Sequence, residues 1–139
     1  MPDDTPTPDQ VWRQLTHVVM DTRDAWKRAV VERTGMPFSR IRVLRRLLAG
    51  PLTAKQLARA ATMDAPATTV VVNDLEERGL VIREIDPTNR RFKLISITDA
   101  GRAVTAEALA TPDPAPAAIE ALDPADLRTL HELLRKIEH

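Results

Sequence analysis

The sequence predicts a mainly α-helical chain with one small β-hairpin, an α+β fold. Apolar residues recur at helical spacing through most of the 139 residues. The spacing changes to strict alternation only over 80–85 and 92–97, and the residues between these two stretches favour a turn. Capping residues, proline and glycine bound the helical stretches, so the individual elements can be delimited in order.

The first predicted helix covers residues 8–33. It follows an acidic, proline-rich tail, residues 1–7, which we expect to be disordered. Trp12, Val19 and Trp26 repeat every seven residues along the helix. Such a helix has more apolar surface than one small domain needs to cover, which favours a partner chain. Packing within the chain is the alternative.

The second predicted helix covers 38–49 and ends before Gly50 and Pro51. A third helix follows, because Thr53 and Gln56 have the spacing of a capping box. In that motif the threonine hydroxyl accepts from the backbone N–H three residues on, and the glutamine side chain reaches back to the threonine backbone.

The fourth predicted helix begins with Asp64 as its N-cap and runs to Arg78. Its segment TTVVV, residues 68–72, is β-branched and favours a strand by propensity alone. We nevertheless predict a helix, because four side chains fall on one face at helical spacing and strand alternation would split them: Thr68, Val71, Val72 and Leu75.

A hairpin is predicted next, with strands over 80–85 and 92–97 and a six-residue connection, 86–91. Thr98 then caps a helix that reaches about Ala110, and the prolines of 111–116 interrupt the helical pattern. The last helix begins at Asp123 and Pro124. Its apolar stripe consists of Leu127, Leu130, Leu133, Leu134 and Ile137.

Composition argues against several classes of function. The chain has no cysteine, which removes disulfides, thiolate nucleophiles and thiolate metal sites. Its three histidines lack paired ligand spacing, and glycine is too scarce for a phosphate-cradling loop. We therefore expect no metal, no cofactor and no enzyme activity. The apolar runs are too short to span a membrane, so we expect a cytoplasmic protein.

Charge is unevenly distributed, although the formal net charge is zero. Residues 33–63 contain seven Lys or Arg residues and no Asp or Glu. A stretch of this kind favours an anionic partner. Ordinary solvated helix faces are the alternative.

The predicted elements follow the order of a winged helix-turn-helix: helix, short helix, turn, helix and hairpin. In such modules the second helix of the motif lies in the major groove, and flanking elements contact phosphates. The hairpin forms the wing, from whose tip Arg90 or Arg91 can insert a guanidinium into a narrow minor groove. The alternative is a solvated turn in which these arginines pair with Asp86.

Several segments resemble the MarR (multiple antibiotic resistance regulator) family of bacterial transcription regulators. The most similar are LEERGLV (75–81), DPTNRR (86–91) and LISITDAGRA (94–103), which matches the family's wing-to-helix junction. GMPFSRIRVLRRL (35–47) stands where the family has its second helix, and LDPADLRTLHELLRKI (122–137) resembles its C-terminal dimerisation helix.

The resemblance implies a homodimeric repressor that binds a palindromic operator on double-stranded DNA and is released by a small aromatic or lipophilic effector. It implies an N-terminal dimerisation helix (8–34), a winged helix-turn-helix domain (35–98) and C-terminal dimerisation helices (99–139). Arg91 is then the minor-groove arginine, with Arg90 beside it on the backbone. The expected dimerisation residues are Trp12, Leu15, Val19, Leu130, Leu133, Leu134 and Ile137.

Two departures from the family pattern concern the DNA contacts. Asn89 stands where the family usually has Asp, so it would hydrogen-bond the wing arginine without charge assistance; with Asp86, it is expected to support the wing. Residues 65–77 contain no Lys or Arg, and Val70 stands where an Arg is common. We therefore predict AT-type contacts and groove-shape readout. The expected recognition face is Pro66, Thr69, Val70 and Asn73, with Lys55, Arg59 and Lys93 contributing affinity.

An effector pocket is predicted between the first two helices and the dimer interface, with Trp26, Met36 and Phe38 as apolar lining. The alternative, which the residues alone favour, is that these three side chains belong to the core. A competing hypothesis is a winged-helix dimerisation or protein-docking module that does not bind DNA. Val70 and the lack of Lys and Arg in the recognition helix favour this hypothesis, whereas Arg90, Arg91 and the acid-free stretch favour DNA.

Overall fold

A computed structural model describes residues 3–138 and confirms the mainly helical fold with a small sheet. The elements follow in the order α1 (Pro8–Thr34), α2 (Phe38–Leu47), β1 (Leu52–Thr53), α3 (Ala54–Ala60), α4 (Ala65–Glu77), β2 (Val81–Ile85), β3 (Lys93–Ile97), α5 (Asp99–Leu109), α6 (Ala117–Glu120) and α7 (Pro124–Ile137). Residues 3–7 lie in no helix or strand. The first two residues of the predicted tail lie outside the described residues, and disorder of the tail stays a prediction.

The predicted capping residues start the helices. Thr53 Oγ1 accepts from the Gln56 backbone N–H at 3.2 Å, and Gln56 Oε1 accepts from the Thr53 N–H at 3.0 Å. Asp64 Oδ1 accepts from the Ala67 N–H at 2.7 Å. The β-branched segment is helical, as predicted, because Thr68, Val71 and Val72 are buried together with Leu75 on one face of α4.

The sheet has three antiparallel strands in the order β1-β3-β2. The sequence prediction missed β1, a two-residue strand in which Leu52 pairs with Ile95 and Thr53 with Leu94. Two residues are too few to display a period of two. The hairpin strands each begin one residue later than predicted, so the connection comprises the seven residues 86–92.

Arg23–Thr111 forms one compact unit with its own core. Gly101 brings α5 close to the sheet: a Cβ built on it would lie 2.2 Å from the Leu80 carbonyl oxygen and 2.7 Å from Ile97 Cγ1. Leu80 O also accepts from the Thr98 N–H at 3.0 Å. The largest fully buried apolar side chains are those of Val30, Val43, Leu44, Leu47, Leu57, Val72, Leu75, Val81 and Ile95.

The second unit combines the chain up to Thr22 with the chain from Pro112 onward. The proline-rich segment is non-helical, as predicted, but it is followed by the unpredicted single turn α6. None of the described residues of α7 is buried. Large apolar side chains are exposed on both parts of this unit: Val11, Trp12, Val18, Val19, Met20, Leu127, Leu133 and Ile137. Within residues 3–138, no helix combines the length and apolar character that crossing a bilayer requires.

Candidate nucleic-acid interface

The outward face of α4 consists of the four predicted residues, Pro66, Thr69, Val70 and Asn73, and all four are exposed. Val70 is 60% exposed. The residues point outward because the opposite face of α4 is held in the core by Thr68, Val71, Val72 and Leu75. This face offers a hydroxyl, an amide and a methyl-rich surface.

Four predicted cationic side chains lie around one open groove, which we call the wing groove. Lys55 and Arg59 of α3, together with Arg91 and Lys93 of the hairpin, line this space of about 860 Å³. The fold brings them together because β1 pairs with β3 and leads directly into α3. The positive charge of the wing groove therefore comes from two separate stretches of sequence, α3 and the hairpin.

The wing connection is closed by a hydrogen bond from the Asp86 N–H to the Phe92 carbonyl, at 2.9 Å. Asp86 Oδ1 accepts from the Thr88 hydroxyl at 2.7 Å and from the Thr88 N–H at 2.9 Å. These bonds, foremost the one from the hydroxyl, hold the pKa of Asp86 below its ordinary value. The Asp86 carboxylate thus supports the turn through Thr88.

Arg90 and Arg91 are both exposed on this connection. Neither guanidinium makes a hydrogen bond or ion pair with any residue in 3–138. Asn89 Oδ1 accepts instead from the backbone N–H of Arg91, at 3.2 Å. Asn89 therefore shapes the backbone under Arg91, and the predicted bond from Asn89 to the guanidinium is not formed.

Arg83 on β2 is a site residue that the sequence analysis missed. Its Nη1 donates to Glu76 Oε1 at 2.9 Å, and its Nη2 donates to Asn73 Oδ1 at 2.6 Å. Both acceptors belong to α4. The alternation of β2 contains the signal, because Arg83 shares a strand face with the buried Val81 and so points toward the body of the unit.

Asp74 connects α4 to α2. Its Oδ2 accepts from Arg40 Nε at 3.0 Å and from Arg78 Nε at 3.1 Å. The hydrogen bond from Arg40, followed by that from Arg78, lowers the pKa of Asp74. The stabilisation from this carboxylate is therefore complete above its ordinary pKa and is lost as the pH falls through the lowered value.

A half-open cavity of about 420 Å³ lies beside α2. Trp26 and Phe38 both line it, and their rings meet edge to face with centroids 5.6 Å apart. Met36, the third residue predicted for an effector pocket, is in the core at 4% exposure and is not part of the lining. Three arginines of α2 border the cavity: Arg42, Arg45 and Arg46.

The predicted dimerisation residues are mostly exposed. Trp12 and Val19 on α1, and Leu133 and Ile137 on α7, are each more than half exposed. Leu15, Leu130 and Leu134 are intermediate. The part of the chain that the structure describes contains no cluster of three or more His, Cys, Asp or Glu residues suited to a metal ion.

Comparison with known protein sequences gives matches over part of the chain. The family model for the MarR family matches residues 34–91. A putative transcriptional regulatory protein for the hcr operon of Thauera aromatica is 40% identical over 50 residues. This match covers 36% of the present chain and only 30% of the Thauera protein, so it concerns a minor part of that relative.

Two solved structures are similar over nearly the whole chain. A MarR family transcriptional regulator from Streptomyces coelicolor, in complex with DNA, is 25% identical, with a TM-score of 0.62 and coverage of 97% of this chain and 91% of that one. CouR from Rhodococcus jostii, bound to p-coumaroyl-CoA, is 29% identical, with a TM-score of 0.64 and coverage of 93% and 92%. The family model thus matches most of the predicted winged helix-turn-helix, and nearly the whole chain is similar in fold to a MarR family transcriptional regulator.

Proposed function

We propose that this chain is a DNA-binding transcription regulator that acts as a repressor and binds a palindromic operator as a homodimer. The observation that carries the proposal is the pair of exposed guanidiniums on the wing, Arg90 and Arg91, which have no partner among the described residues. Free cationic groups on a projecting loop suit a polyanion better than they suit the protein's own surface.

The proposed complex places the exposed face of α4 in the major groove and Arg91 in the adjacent minor groove. Lys55, Arg59 and Lys93 of the wing groove contact phosphates, which compensates for the lack of cations on α4. The Streptomyces coelicolor relative, solved in complex with DNA, supports this assignment at 25% identity.

A homodimer is supported by the apolar side chains that remain exposed on α1 and α7. A second copy of the chain would cover these side chains, and a two-fold axis places two recognition helices on the two halves of a palindrome. Exposed apolar surface on this scale is typical of an interface.

The test is a fluorescence-anisotropy titration of the full-length chain with a labelled duplex at increasing salt. Arg91→Ala should reduce the log–log salt slope by about 0.9 for each bound subunit, because one fewer cation displaces counterions from the duplex. The matched control is Arg128→Ala on α7, which should leave the slope unchanged. No binding to duplex at any salt concentration would favour the docking-module hypothesis and refute the proposal.

We further propose that a lipophilic anion bound in the cavity beside α2 releases the DNA. Trp26 and Phe38 offer an aromatic wall, while Arg42, Arg45 and Arg46 offer positive charge at its border. CouR, 29% identical, is solved with p-coumaroyl-CoA, which combines an aromatic acyl group with phosphates. The aromatic and cationic side chains of this cavity are complementary to that combination.

Benzoate serves as the probe for this cavity. In a Trp12→Phe background Trp26 is the remaining tryptophan, and benzoate should quench its fluorescence and weaken duplex binding at constant ionic strength. Benzyl alcohol, which is neutral, should act several-fold less strongly, and Arg45→Ala should reduce the response to benzoate. Equal responses to both compounds would rule out a role for the arginines.

A further inference from the structure

Arg83 supplies the cation that α4 itself lacks. Residues 65–77 contain no Lys or Arg, yet Arg83 brings its guanidinium to the outward side of α4, where it bonds Asn73 and Glu76 at once. The Arg83 side chain is 25% exposed and that of Glu76 is 43% exposed. The pair therefore lies at the margin of the proposed DNA-binding face and not in the core.

The contact with Arg83 fixes the orientation of the Asn73 amide. A guanidinium has only donors, so the Asn73 atom that faces it must be the carbonyl oxygen, here 2.6 Å from Arg83 Nη2. The second bond of Arg83, to Glu76 at 2.9 Å, prevents the guanidinium from turning freely. The Asn73 NH₂ group is consequently the part of the amide available to a ligand.

A fixed donor changes which base the residue can recognise. An unrestrained asparagine pairs with adenine in two bonds, in which it accepts from N6 and donates to N7. One lone pair of the Asn73 oxygen already accepts from Arg83, and the guanidinium occupies space beside that oxygen, which disfavours the approach of adenine N6. Guanine presents two acceptors in the major groove, O6 and N7, and so becomes a better partner than adenine for the NH₂ group.

We propose that Arg83 is a specificity-determining positioning residue that holds Asn73 as a hydrogen-bond donor and directs it to guanine. The inference rests on the proposed DNA-binding function. It replaces the expectation of purely AT-type contacts at this position of the operator. Arg83 also neutralises Glu76, whose carboxylate would otherwise face the phosphates.

The test uses Arg83→Lys, because lysine keeps the charge but loses the planar fork that binds two acceptors together. Duplexes with randomised central positions are selected on the full-length chain, and Asn73→Ala identifies the position that Asn73 reads in each half-site. The unchanged protein should prefer guanine over adenine there. Arg83→Lys should shift this ratio toward adenine by roughly five-fold or more and leave the salt slope unchanged.

Arg78→Lys is the matched control, since Arg78 also pairs with a carboxylate of α4, that of Asp74. It should leave the preference at the Asn73 position unaltered, whereas a purely structural role of Arg83 would weaken all positions alike. The inference is overturned if Arg83→Lys keeps the guanine preference, or if the unchanged protein already selects adenine. Failure of the unchanged protein to select any duplex would overturn the proposed function as well.

Discussion

Replacing Gly101 by alanine should lower the free energy of unfolding by about 3 kcal/mol, toward the upper end of overpacking costs. The new methyl group would lie 2.2 Å from the Leu80 carbonyl oxygen, well inside van der Waals contact. Leu80 O cannot withdraw easily, because it accepts from the Thr98 N–H at 3.0 Å and directly precedes β2. Relief of the clash would therefore separate α5 from the sheet.

A decrease in the free energy of unfolding would be diagnostic of the clash. Replacing glycine by alanine inside a helix ordinarily increases this free energy by about 1 kcal/mol. Urea denaturation at a fixed protein concentration gives the midpoint and slope for each variant. The control is Ala103→Gly, at an exposed position of the same helix, which should destabilise by about 1 kcal/mol through propensity alone. A Gly101→Ala variant as stable as the parent would show that the contact is not tight.

The double substitution Leu133→Glu with Ile137→Glu should weaken self-association by at least about a hundred-fold, because several kcal/mol are needed to bury each unpaired charge. These side chains are 52% and 59% exposed in the single chain. The substitutions should therefore cost the isolated subunit little. Sedimentation velocity should change from a dimer to a monomer, and affinity for a palindromic duplex should fall with it.

The matched control is Arg128→Glu, which changes the net charge by the same two units on the face of α7 opposite the apolar stripe. It should remain dimeric. Circular dichroism checks that both variants keep their helices. If the parent chain sediments as a monomer, or the double variant as a dimer, α7 is not the interface.

Features set by neighbouring residues were predictable from the sequence. The capping residues Thr53, Asp64, Thr98 and Asp123 start the helices at which they were expected. The periodicity that placed Thr68, Val71, Val72 and Leu75 on one face outweighed the strand propensity of α4, because burial on one helical face contributes more than intrinsic preference.

Features that depend on distant residues were not predictable. The partnership of Arg83 with α4, and that of Asp74 with Arg40, join residues that are up to 34 positions apart. The spacing of residues predicts which side chains share a face of one helix or strand, and it does not predict which side chains of different elements pair. Asn89 was expected to hydrogen-bond the guanidinium of Arg91, but its Oδ1 accepts from the backbone N–H of Arg91 instead. A short side chain lies close to the main-chain donors of its own turn and bonds them readily.

The position of α2 has a consequence for communication across the subunit. On one side α2 borders the cavity with Arg42, Arg45 and Arg46, and elsewhere on the same helix Arg40 donates to Asp74 of α4 at 3.0 Å. Close-packed helices move as bodies and do not deform continuously. A molecule that displaces α2 would therefore tilt α4. Coupling between the cavity and the exposed face of α4 then needs to cross only one helix diameter, roughly 10 Å.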